Sequence, residues 1–343
     1  MPRPDTTSAS PTPPPPANAP PPSSPLSPSI GAARAHLPST AGGATGRLSR
    51  WLRYSPAQPL FRARAARKFA VLAYRRVTDR RRFGAQLDRL CRTAVPISLR
   101  ALEQAVAEGR PLPPRSVLIT FDDADRGVLE HALPALVDRG LPAVAFVVTE
   151  LVGTDLPSWQ QEAAFLTAHG GQARALTADG QARRLAQLAS LPDPDRRRSL
   201  HELRVSCTAR PPRQERLAPE DLRELAAGRV AIGSQSLGAA ELRRCDDATV
   251  RTEILSAHQA LTGWLGTAPT AFAYPGGGYE PRTAEVLREL GYRLGFLSDH
   301  RLNRRLPEQA LLVSRLRVDA AGGRHHLDTV LSGLDPALSR WRT

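Results

Sequence analysis

The sequence is poor in lysine, methionine and cysteine. A single lysine, Lys68, stands among 47 basic residues, and the only methionine is Met1. With alanine and proline abundant, this bias is what a GC-rich coding sequence produces. The formal net charge of +14 is therefore read first as an Arg-rich solvated surface, and only second as long-range attraction for anionic partners. The three cysteines, Cys91, Cys207 and Cys245, form no Cys-x-x-Cys pair. That excludes a zinc ribbon, and an odd, scattered set argues against a disulfide framework. No stretch approaches the ~20 apolar residues of a membrane span. The first thirty residues hold no apolar core of a signal peptide, so the chain as written is expected to stay in the cytoplasm. Nothing in it has the pattern of a nucleic-acid-binding module, so a nucleic-acid partner is the last of the readings.

What is present is a low-complexity start followed by a regular α/β pattern. Residues 1–45 are rich in Pro, Ser, Ala and Thr and cannot bury enough apolar surface to offset the entropy of ordering. They are expected to be a disordered tail with polyproline character, with 46–68 an Arg-rich transition. From about 69 to 320, short β-branched or aromatic runs alternate with helical stretches. Residues 68–74 read as a strand, and the near-continuous apolar run Val117-Leu118-Ile119-Thr120-Phe121 as a strand buried on both faces. Further strands are expected at 143–148, 230–233, 271–274, 292–297 and near 311–318. Helices are expected at 83–94, 99–108 (capped by Ser98), 128–139, 219–228, 246–265 and 281–290, with a helical insertion at about 150–218 and a C-terminal tail at 321–343. About seven strands separated by helices point to parallel strands joined by right-handed crossovers. In a barrel of such units, chemistry gathers just beyond the carboxyl ends of the strands.

The strongest signal there is Thr120-Phe121-Asp122-Asp123. Two adjacent carboxylates resist joint ionisation unless a cation or other donor lies close. With it come His131-Ala132-Leu133-Pro134 and Gly140-Leu141-Pro142-Ala143-Val144-Ala145-Phe146-Val147, preceded by Val71-Leu72-Ala73-Tyr74-Arg75-Arg76-Val77. Downstream lie Ile232-Gly233-Ser234-Gln235-Ser236-Leu237-Gly238-Ala239-Ala240-Glu241-Leu242, Phe272-Ala273-Tyr274-Pro275-Gly276-Gly277 and Gly291-Tyr292-Arg293-Leu294-Gly295-Phe296. This ordered set resembles the blocks of the polysaccharide deacetylases, the NodB-homology proteins. The resemblance implies a deformed (β/α)7 barrel and metal-assisted hydrolysis of an N-acetyl group on a carbohydrate or related metabolite. It places Asp122 as general base, Asp123 as a ligand of a zinc-type divalent metal, and the Gly276 N–H at the oxyanion. Tyr274, Pro275 and Tyr279 would line the substrate cleft, with Trp159 a further candidate platform.

The sequence departs from that pattern at the metal. Gln235 and Ala239 stand where the family's two ligand histidines belong, and Arg75 stands where the opening strand usually has histidine. Arginine cannot coordinate a metal, glutamine offers only a neutral carbonyl oxygen, and alanine offers nothing. A zinc site needs about three protein ligands, so the metal is expected to be weak or absent. His300, beside Asp299, is the candidate for a rebuilt site with Asp123; His325 and His326 are weaker ones. Two functions follow: a deacetylase, or a catalytically impaired descendant that keeps the cleft for carbohydrate or protein binding.

Overall fold

In the computed structural model, residues 63–333 are described. The expected tail at 1–45 and most of the transitional segment lie outside them. Nine strands alternate with helices. In chain order they are β1 (Lys68–Tyr74), α1 (Arg80–Thr93), β2 (Val95–Pro96), α2 (Leu99–Ala107), β3 (Ser116–Phe121), α3 (Leu133–Val137), β4 (Ala143–Val147), α4 (Trp159–Ala168), α5 (Gln181–Ser190), α6 (Asp193–Ser206), α7 (Pro219–Ala227), β5 (Val230–Ser234), α8 (Asp247–Leu265), β6 (Ala271–Ala273), α9 (Pro281–Glu289), β7 (Leu294–Phe296), β8 (Asn303–Arg304), β9 (Leu316–Val318) and α10 (Arg324–Leu331).

Seven strands run parallel in the order β9-β1-β3-β4-β5-β6-β7. Val313, just before β9, bridges to Phe296 of β7, so one short segment touches both edges and curls the sheet into the expected deformed barrel. β2 and β8 are two-residue strands, too short to leave a period in the sequence; β8 pairs antiparallel with β1. Side chains alternate between the two faces of the sheet. Phe69 and Val71 of β1, Leu118 of β3, and Val144 and Phe146 of β4 fill one buried cluster with Ala271, Ala273, Leu294, Phe296 and Val313. Their neighbours Leu72 and Tyr74, Val117, Ile119 and Phe121, and Ala145 and Val147 pack on the other face with α1, α3 and α7. β3 and β4 are buried along their whole length, which is why both read as continuous apolar runs.

Local signals explain the helix ends. The Ser98 side chain accepts from the Ala101 N–H, and the Asp246 side chain accepts from that of Thr249. Gly266 closes α8 at φ +70°, a conformation that glycine adopts without a Cβ penalty. The segment expected as one helix over 128–139 begins instead as a π-helical turn, Val128–Ala132, before α3. The insertion holds three helices, α4 to α6, with a small core of its own around Leu166, Leu188, Leu200 and Leu203. The expected C-terminal tail needs correcting: α10 is helical, and Leu327 and Val330 are buried against the main core, because its apolar residues recur at helical spacing. The three thiols are free. Among the described residues, no helix is long and apolar enough to cross a membrane.

Candidate functional site

Alternation along the strands decides which side chains reach the mouth of the barrel. Counting on from the interior residues of each strand, Ala73, Asp122, Gln235, Ser298, Arg315 and Arg317 fall on the interior side. All six line one cleft of about 740 Å3 at the carboxyl ends of the strands, together with Arg75, Arg76, Asp123, Ala239, Tyr274, Pro275, Gly276, His300 and His326. The two aspartates, the three substituted positions and the third-block loop, far apart in sequence, are thus brought together.

Each carboxylate already has partners. Asp122 pairs with the Nη1 of Arg315. Arg315 is only 1% exposed; its Nε donates to the Leu297 carbonyl at 2.7 Å, and its guanidinium lies 5.3 Å from the centre of the Phe146 ring, within cation–π range. Asp123 makes a reciprocal pair with Gln235. Its backbone N–H donates to Gln235 Oε1 at 3.1 Å, and Gln235 Nε2 donates to Asp123 Oδ1 at 3.1 Å. These two bonds fix the amide's orientation, since a flipped amide would oppose donor to donor and acceptor to acceptor. The other carboxylate oxygen of Asp123 faces Arg75 Nε at 3.4 Å. Burial raises the pKa of Asp123; the Arg75 charge opposes that shift, and the neighbouring Asp122 carboxylate adds to it.

The residues present do not fit a divalent metal. Asp123 Oδ1 is taken by an amide N–H, the one neutral oxygen of Gln235 is taken by a backbone N–H, and position 239 offers a methyl group. Among the described residues, no three His, Cys, Asp or Glu side chains converge as a metal site, so Asp123, Asp299 and His300 do not assemble one. The His300 Nδ1 instead accepts from the Arg317 N–H at 3.1 Å, and Asp299 Oδ2 accepts from the Ser314 hydroxyl at 2.8 Å.

The other expected residues separate. Gly276 lies in the cleft wall at φ +67°. Tyr274 and Pro275 line the cleft. Tyr279 is not among the lining residues; it packs edge-on against the Tyr274 ring at 5.9 Å. Trp159 lines an adjoining pocket of about 380 Å3 that shares Asp123 and Ala239 with the main cleft, and its Nε1 donates to the Ala239 carbonyl at 3.4 Å. His326 lines the cleft from α10, while the His325 side chain lies outside the described residues. His131 sits in the π-helical turn, away from the cleft lining.

Sequence reasoning missed Arg315 and Glu253. Glu253, on α8, is buried and accepts from the Ser236 hydroxyl and the Gly238 N–H, both at 2.9 Å, and from Arg197 of α6 at 3.1 Å. It holds the loop that carries positions 235 to 239. In both cases a charge in an apolar stripe was the available signal.

The family model for polysaccharide deacetylase matches residues 109–295. IcaB from Ammonifex degensii superposes with a TM-score of 0.53 at 22% identity, covering 77% of this chain and 97% of that one. The Streptococcus pyogenes deacetylase PplD, solved in complex with acetate, gives 0.54 at 16% identity, with 77% and 98% covered. The deacetylase domain of BpsB from Bordetella bronchiseptica gives 0.50 at 20% identity, with 74% and 97% covered. At these identities the likeness is one of fold. No curated protein matches the chain significantly. The family is in general metal-dependent. With the family model spanning more than half of the 343 residues on a matching barrel, the chain belongs to the polysaccharide deacetylase family.

Proposed function

We propose that this chain keeps the family's cleft as a carbohydrate-binding site and has given up metal-dependent hydrolysis. The observation that carries the reading is the set of partners of Asp123: a glutamine amide and an arginine guanidinium occupy its carboxylate where the family resemblance implies a metal and imidazoles. Two carboxylates face two guanidiniums, Asp122 with Arg315 and Asp123 with Arg75, so the floor of the cleft is balanced in charge without a cation. Water activation by Asp122 would have to proceed without a Lewis acid.

The retained features support carbohydrate as the ligand class. The cleft is large, its wall carries the Tyr274-Pro275-Gly276 loop, and the pocket beside it has Trp159 in its lining. The test combines metal analysis with an acetate-release assay on N-acetylated chito-oligosaccharides. Expected are metal well below one equivalent and no acetate release above a control lacking protein, with saturable oligosaccharide binding by calorimetry. Stoichiometric zinc, cobalt or nickel that is lost on Asp123→Ala, together with acetate release, would overturn the proposal and restore hydrolysis as the function.

A further inference from the structure

The exchange of imidazoles for a guanidinium changes what the cleft attracts. Its lining carries Arg75, Arg76, Arg315 and Arg317 against Asp122, Asp123 and Asp319. Arg315 is spent on Asp122 and Arg76 faces Asp125 at 3.5 Å. Asp319 Oδ1 accepts from the Ala321 N–H at 2.9 Å. Arg75 meets Asp123 only at 3.4 Å and stays 71% exposed. Arg317 is exposed, and its side chain makes no ion pair among the described residues.

These last two guanidiniums are neighbours by register. Ala73 of β1 pairs with Arg317 of β9. Arg75 stands two residues beyond Ala73, on the same side of the strand. That makes Arg75 and Arg317 diagonal neighbours across adjacent strands, a separation that long side chains span. Both open onto the mouth of the cleft. A guanidinium presents its N–H donors in a planar fork that matches a carboxylate or a phosphate, and two such forks on one rim form a clamp for an oxyanion.

We propose that the ligand is an anionic glycan, whose oxyanion sits between Arg75 and Arg317 while its sugar ring enters the cleft. This deepens the carbohydrate-binding reading and rests on it. Arg317 is exposed and makes no ion pair among the described residues, so replacing it leaves the core unchanged; Arg75 also faces Asp123, so its replacement disturbs that pair as well.

The test is calorimetry on the full chain at low ionic strength with four probes of matched length: an oligouronide, its methyl ester, a phosphorylated oligosaccharide and a neutral chito-oligosaccharide. The acidic probes should bind at least about tenfold more tightly than the ester, the size of effect that loss of a charge-assisted pair produces. Arg317→Gln should lose most of that preference with an unchanged melting temperature; Arg75→Gln should also lose it, with any change in melting temperature reporting the lost Asp123 pair. Added salt should weaken acid binding and leave ester binding unaffected. The oligouronide and the phosphorylated probe distinguish a carboxylate from a phosphate as the recognised group. Equal affinity for acid, ester and neutral probes, unaffected by Arg317→Gln, overturns the anion inference while the carbohydrate reading stands. Binding of none of the four overturns both.

Discussion

Replacing Arg315 by leucine removes the charge opposite Asp122 and keeps an apolar side chain against Phe146. The carboxylate left behind is only 18% exposed, and the Leu297 carbonyl loses its side-chain donor. Breaking a buried pair from one side costs about 3–5 kcal/mol. The water that reaches Asp122 through the cleft places this case at the lower end, near ~3 kcal/mol. The lost bond to Leu297 and the lost cation–π contact belong to the same rearrangement and are not added separately. In urea, with a slope of about 3 kcal/mol per M for a domain of this size, the midpoint should fall by roughly 1 M. Asp122→Asn in the same chain removes the orphaned charge, so the double variant should recover about 1–3 kcal/mol relative to the sum of the single changes. Equilibrium unfolding followed by far-ultraviolet circular dichroism measures all four corners of the cycle. A loss below about 1 kcal/mol for Arg315→Leu, or strict additivity, would show that the pair is solvated and that Asp122 is free.

Three further outcomes test the metal-site argument. Gln235→His with Ala239→His restores two imidazoles but leaves Arg75 in place. A guanidinium in contact range of a dication costs on the order of 2 kcal/mol even at the dielectric of water. Adding Arg75→His should therefore tighten zinc binding roughly twentyfold in a competitive chelator titration, and equal affinity for the double and triple variants would refute the repulsion. Asp123 has a folded pKa raised above its ordinary 3.8, with burial the leading cause. Between those two values the folded chain binds more protons than the unfolded one, so this group's contribution to stability falls as pH rises through that window. Asp123→Asn should match the parent melting temperature at the acid end and exceed it at pH 7; a parent that is more stable at pH 7 would contradict the burial argument. Finally, Glu253→Ala leaves the Ser236 hydroxyl, the Gly238 N–H and Arg197 without their shared acceptor and should cost about 3–5 kcal/mol in urea unfolding, while Glu253→Gln should cost less.

The barrel was legible because its central strands are apolar on both faces and some of its helices carry their own caps. Val117 to Phe121 could be read as a buried strand from composition alone, and Ser98 and Gly266 mark helix ends by their chemistry. The cleft was legible as a set of blocks, and the alternation of β1, β3 and β5 accounts for Asp122 and Gln235 meeting there. What escaped was pairing across distance. Arg315 lies 193 residues from Asp122, and no local pattern announces that a residue just before β9 will face that carboxylate. The same holds for Arg75 and Asp123, 48 residues apart. Reading Arg75 only as the loss of a histidine is silent about the charge that stands there and the carboxylate it faces. The place of Tyr279 in a glycine-rich loop gives no sign that its ring packs at right angles to that of Tyr274.

The shape of the cleft is supported by bonds within the chain itself. Asp123, Ser236, Ala239 and His300 all lie at positive φ, a backbone cost of roughly 1 kcal/mol or more for a residue with a Cβ. Four such residues near the strand ends require something that holds them. At 236–239 that support is visible. Glu253 binds the Ser236 hydroxyl and the Gly238 N–H, the Ser236 hydroxyl accepts from the Ala239 N–H at 3.1 Å, and Trp159 donates to the Ala239 carbonyl. The two bonds at Ala239 use its backbone N–H and carbonyl, not the side chain that the family resemblance makes a metal ligand. The loop is fastened from α8 and from the helical insertion, through Arg197 and Trp159, so replacing the ligand histidines costs the loop nothing that holds it. A site supported in this way can lose its chemistry and keep its shape, which is the physical condition for a hydrolase fold to persist as a binding cleft.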